Sequence, residues 1–153
     1  MAEGSRVLMR SATPRARVRA FMRSRHEVRV DRLSALLTET MRREFPAAVQ
    51  STTRAGLPRF TIPALVKEFG PLVAEVDPNV ELTLVIGHFM HTHFDGDSAV
   101  DRLVARCCEI LADKIVITSF PDGASMSPRE CVDFTEEGVF WIWSGRLPQR
   151  SAE

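Results

Sequence analysis

Apolar positions recur along this chain in two rhythms, the three-and-four spacing of a helix face and the strict alternation of a strand. From residue 31 the helical rhythm is plain: Asp31 stands as N-cap, Leu33, Leu36, Leu37, Met41 and Phe45 fall on one face, and Pro46 ends the run. Upstream two readings stay open, since residues 14–22 suit a short helix whereas residues 26–30 alternate as a strand would. Residues 47–59 hold no period and several turn formers, which predicts a loop. Helical spacing returns at Leu65, Val66, Phe69, Leu72, Val73 and Val76, broken at Gly70-Pro71. An interior proline removes a backbone hydrogen bond, so a kinked helix or two short helices are expected there.

After the turn residues Asp77, Pro78 and Asn79 the period changes to two. Residues 80–95 carry the longest strand signal, with Leu82, Leu84, Ile86, His88, Met90, Thr92 and Phe94 on the core side and Thr83, Val85, Gly87, Phe89, His91, His93 and Asp95 on the other. Such a run exceeds the usual strand length, which makes Gly87 the expected site of a bulge that would exchange the faces beyond it. A second amphipathic helix follows, capped by Asp97 or Ser98, with Val100, Leu103, Val104, Cys107 and Leu111 as its stripe. Residues 114–120 are rich in β-branched side chains and read as a strand closed by the turn at residues 121–123. Residues 127–130 have the signature of a helix start, residues 131–134 suit a strand equally well, and residues 139–143 are apolar on both faces. The order predicts an α+β fold, an antiparallel or mixed sheet of about four strands with helices packed on one face. Three parts are expected: a partly ordered basic N-terminal arm over residues 1–30, a single domain over 31–146 and a C-terminal tail over 147–153.

Composition agrees with one core: 153 residues, 44% hydrophobic and 26% charged, are enough for one domain and short for two. The apolar run at residues 82–87 is far below the roughly 20 residues needed to cross a bilayer, so no membrane partner is expected. Three cysteines, with Cys107 and Cys108 adjacent, make no even disulfide framework and are read as reduced thiols of a cytoplasmic protein. A net charge of zero conceals a split: residues 1–30 carry eight arginines against Glu3 and Glu27, a surplus of six that the remainder must balance. Residues 80–153 hold that deficit, with twelve acidic against six basic side chains. An acidic body suits a basic protein partner through electrostatic steering, and the arm is also compatible with a homodimer. The arginines lack the interleaved aromatics of a base-stacking platform, which disfavours nucleic acid.

Candidate chemistry concentrates in GHFMHTHFDGD, residues 87–97, where three of the four histidines and two aspartates fall together. His91 and His93 on one strand face would have β-carbons about 7 Å apart, close enough to share a cation, while Asp95 lies roughly 13 Å from His91 along an ideal strand. HTHFDGD, residues 91–97, resembles the HxHxDH metal signature of the metallo-β-lactamase family at His91, His93 and Asp95. It departs from that signature at Gly96, and no histidine follows His93. A divalent ion held by His91, His93 and Asp95 is thus the alternative to a chain without a cofactor. P-loop, GxGxxG and GxSxG patterns do not occur. Trp141 and Trp143 share one face of the last apolar run and follow Glu136 and Glu137; tryptophan is enriched in binding hot spots, so these four residues are the expected partner-binding set. The function expected is a non-catalytic protein-binding module (an adaptor, inhibitor or immunity-type protein) using an acidic and aromatic surface. A small metal-dependent enzyme is the alternative, and nucleic-acid binding through the arginine-rich arm stands third.

Overall fold

The computed structural model describes residues 13–79 and 81–149. Residues 1–12 of the expected arm and residues 150–153 of the expected tail lie outside that range.

Helix α1, Pro14–Glu44, is continuous across the expected boundary at residue 30 and absorbs the segment whose alternation suited a strand. Its start is built from Thr13, whose hydroxyl accepts from the Ala16 amide at 3.3 Å, and from Pro14 in the first turn, where the missing amide proton costs nothing. Residues 26–30 are flanked by helix formers on both sides, and propagating a helix is easier than nucleating a strand inside one. The buried stripe is Val30, Leu37, Thr40 and Met41, so Val30 joins the core and Leu36, expected inside, is exposed.

Where a loop and a kinked helix were expected, the chain forms β1 (Val49–Thr52), β2 (Pro58–Ile62) and β3 (Leu72–Asp77). Gly70 adopts a φ of 86° and Pro71 follows it, so no helix passes through this point. Beyond it Leu72, Ala74 and Val76 are buried on one face, the strand solution of a pattern that also fits helical spacing. The long strand expected over residues 80–95 is a hairpin, β4 (Glu81–Ile86) and β5 (Met90–Phe94), with Ile86 opposite Met90 across a turn of residues 87–89. Because the turn places Ile86 beside Met90, even-numbered residues stay on the core face in both strands and the odd-numbered residues stay outside. Strands β1 to β5 form one antiparallel sheet in sequence order.

Helix α2, Ala99–Leu111, starts at Ser98 and buries Val100, Leu103, Cys107 and Ile110. A second antiparallel sheet, in the order β7-β6-β8-β9, comprises β6 (Ile115–Phe120), β7 (Gly123–Pro128), β8 (Val139–Ile142) and β9 (Gly145–Leu147), with a short 3-10 turn at Arg129–Cys131. The fold is α+β, as the patterning predicts, with two sheets in place of one. One core joins Leu37 and Met41 of α1, Leu103 and Cys107 of α2, Phe60, Leu72, Leu82, Leu84 and Ile86 of the first sheet, and Ile115 and Ile117 of the second. A smaller cluster of Val116, Phe140 and Ile142 lies on the far side of the second sheet under Val132, Phe134 and Leu147. No described helix is long and apolar enough to cross a membrane.

Candidate interaction face

Both helices contribute to the core that covers the even-numbered face of the first sheet, while the odd-numbered face is exposed at its edges and half-buried to buried toward its middle. Register places one row across it, Val49, Thr61, Val73, Val85 and His91, and a neighbouring row, Ser51, Arg59, Glu75, Thr83 and His93. Asp77 and Glu81 face each other beside the β3–β4 turn and continue the same side. Val49 at the edge is 59% exposed, while Val73 and Thr83 in the middle are buried by flanking strands. The face is therefore a valine row next to three carboxylates, with Arg59 as its single arginine. Arg59 meets Glu75 at 3.6 Å, both partly exposed, which leaves Asp77 and Glu81 as unneutralised charge apart from the histidine beside Glu81.

His91 and His93 stand on this face at the β5 edge, rings edge to face with centroids 5.1 Å apart. His93 Nδ1 is in hydrogen-bond contact with the Thr83 hydroxyl at 3.2 Å and lies 3.7 Å from a Glu81 carboxylate oxygen. Asp95 turns away: beyond the end of β5 its carboxylate approaches Arg102 at 3.7 Å, and its backbone carbonyl accepts from the same guanidinium. The structure thus brings His91 and His93 together and sends Asp95 to α2. Among the described residues no three His, Cys, Asp or Glu side chains group closely enough to hold one ion. His88 lies in the β4–β5 turn, its ring over Gly70, where an added β-carbon would stand 2.8 Å from Nε2.

The two tryptophans face inward. Trp143 is buried, edge-on to Phe69 with centroids 5.4 Å apart, and Trp141 is half-buried against Phe89 at 5.6 Å. Their parity puts them on the same side of the second sheet as Ile117, and that side meets the main core. Glu136 and Glu137 are exposed just before β8, beside Phe120, whose ring packs near Gly138. Cys107 is buried while Cys108 and Cys131 are exposed, and burial, with the adjacent Cys108 adding to it, pushes the Cys107 thiol up to about 12.

Two features escaped the sequence reading. The carboxylates of Glu75 and Asp77 were hidden because the stretch to Val76 read as helix and Asp77 as a turn; their alternation with Leu72, Ala74 and Val76, in register with Glu81, was the available signal. The other is the first half of α1. Every residue from 14 to 29 is exposed, including Val18, Phe21, Met22 and Val28, each about 60% exposed. Six arginines lie in the same segment, and none makes an ion pair with a described residue; Arg25 stacks over the Phe21 ring at 4.8 Å. His26 bonds the Pro78 carbonyl at 2.7 Å, which fixes where α1 passes the β3–β4 turn.

Comparison of the chain with family models, with curated proteins and with solved structures gives no match, so the functional reading rests on this geometry.

Proposed function

We propose that this chain is a non-catalytic protein-binding module, of the adaptor, inhibitor or immunity type, that receives a basic partner on the outer face of its five-stranded sheet. The observation that carries the reading is the face itself: exposed Val49 and half-buried Val85, in one row with buried Val73, supply apolar contact, and Glu75, Asp77 and Glu81 beside them supply charge of one sign. Apolar centres flanked by charge are how protein interfaces combine affinity with orientation. The acidic character expected of the binding surface is kept on this face, whereas the aromatic part moves elsewhere, because Trp143 is spent in the core and Trp141 largely so. Glu136 and Glu137 remain exposed and carry the same charge to the end of the second sheet.

The test compares three tagged proteins in native lysate: wild type, Val85→Arg combined with Glu81→Arg, and Glu136→Lys combined with Glu137→Lys. Two unfavourable substitutions at an interface centre weaken binding by roughly a hundredfold, so proteins retained by wild type and by the Glu136/Glu137 variant should be missing from the sheet variant. Equal retention by the sheet variant would show that the outer face binds nothing.

A further inference from the structure

The molecule holds two uncovered surfaces of opposite character, the acidic valine face of the first sheet and the arginine-rich first half of α1, and each has what the other lacks. We propose that the occupant of the sheet face is a second copy of this chain, whose α1 segment 14–25 lies across the valine row while its own sheet receives the first copy's helix. The inference rests on the reading of that face as a protein-binding surface and names its partner.

Charge and apolar content both select this pairing. Arg15, Arg17, Arg19, Arg23 and Arg25 have no carboxylate partner among the described residues, while Asp77 and Glu81 are half-buried at the sheet end that α1 passes. Val18, Phe21 and Met22 are exposed apolar side chains of that segment, and exposed Val49 and half-buried Val85 form the apolar row that would receive them. Length agrees as well: twelve helical residues before His26 span about 18 Å, and five strands spaced about 4.8 Å apart span about 19 Å. A reciprocal exchange satisfies both surfaces in each copy and closes as a two-fold dimer.

Other occupants fit less well. Two α1 helices pairing with each other would bring six arginines of each copy together. At 100° per residue Val18, Met22, Arg25 and Arg29 fall within about 60° of one another, so guanidinium groups stand inside the apolar stripe. A helix seated at a lipid surface keeps its acyl-facing side free of charge. A nucleic-acid backbone would engage the arginines and leave Val18, Phe21, Met22 and Val28 without apolar contact.

Sedimentation velocity on the full chain tests the proposal. At low salt the wild type should be a dimer, and association should weaken at least roughly tenfold when salt screens the charges. Arg19→Glu with Arg23→Glu, both exposed in the structure, should give a folded monomer by sedimentation and circular dichroism, as should Glu75→Lys with Glu81→Lys. Mixing those two variants should restore a dimer, because each reversed surface then meets its complement. A wild type that stays monomeric at every concentration in low salt overturns the proposal, as does a dimer that survives both reversals or a mixture that stays monomeric. If that monomer loads onto anionic vesicles or duplex DNA through Arg19 and Arg23, the helix serves that occupant instead. If it is monomeric but the sheet variant still loses proteins captured by wild type, the second-copy assignment falls while the sheet face stands as a binding surface.

Discussion

Gly87 turns the chain at the one place that decides where the histidines point. Its φ of 55° lies in the left-handed region, its amide donates to the Pro71 carbonyl at 2.9 Å, and an added β-carbon would overlap the Phe69 carbonyl oxygen. Gly87→Ala should therefore cost about 2 kcal/mol or more, from left-handed strain plus overpacking. Urea unfolding measures it, and a loss below about 0.5 kcal/mol would contradict the geometry. The thiols divide by burial in the same way. Cys108 and Cys131 should react with a thiol reagent in the native state, and Cys107 only after unfolding. Burial holds the folded Cys107 thiol protonated to about 12 against an ordinary value of 9.0. The unfolded chain gives up this proton first as pH rises through that window, so the thiol's contribution to stability is full below 9.0 and is lost toward about 12. Three equally reactive native thiols would contradict the burial.

At the scale of elements, α1 is two things in one helix. Residues from Val30 onward are held by packing, whereas residues 14–29 make few contacts of their own and depend on the cap at Thr13 and on continuity with the packed half. Removing residues 1–25 should leave the stability of the core within about 1 kcal/mol, because burial begins beyond the cut. The comparison belongs in high salt, where self-association is suppressed, with thermal unfolding as the readout. A large loss would mean that the first half of α1 supports its own domain. The opposite case is residues 65–76. Their apolar spacing satisfies a helix and a strand alike, and Gly70-Pro71 was visible in the sequence as an interruption. What resolves the ambiguity is β4, which pairs with Leu72–Asp77 over six positions and gives those residues a ladder no local rule contains.

For the whole molecule, zero net charge conceals a segregation of charge that the structure follows only in part. The arginine surplus of the first thirty residues and the acid surplus after residue 80 predict opposed surfaces. The described part of the basic segment is a solvent-exposed helix, whereas of the three carboxylates on the outer sheet face only Glu81 belongs to the acid-rich stretch, Glu75 and Asp77 preceding it. The proposed self-association would be dissolved by salt and would need no net attraction between the molecules as point charges. The four residues expected to form a partner-binding set part company in the structure. Glu136 and Glu137 are exposed as expected of a contact surface, but the tryptophans beside them are turned into the core, because β8 pairs with β6 and that pairing aims Trp141 along with Ile117.

By itself the sequence determined what depends on neighbours along the chain: the alternation of residues 81–86, the buried stripe of α2 from Val100 to Cys107, and the α+β class. Only tertiary structure decided that residues 58–62 and 72–77 are strands, that the turn at Gly87 keeps His91 and His93 off the core side, that Trp143 is core, that Asp95 leaves the histidines for Arg102, and that the described first half of α1 stays exposed. Periodicity is a local property and fixes which residues share a face, whereas what that face meets depends on segments remote in sequence, whose pairing a local pattern does not encode.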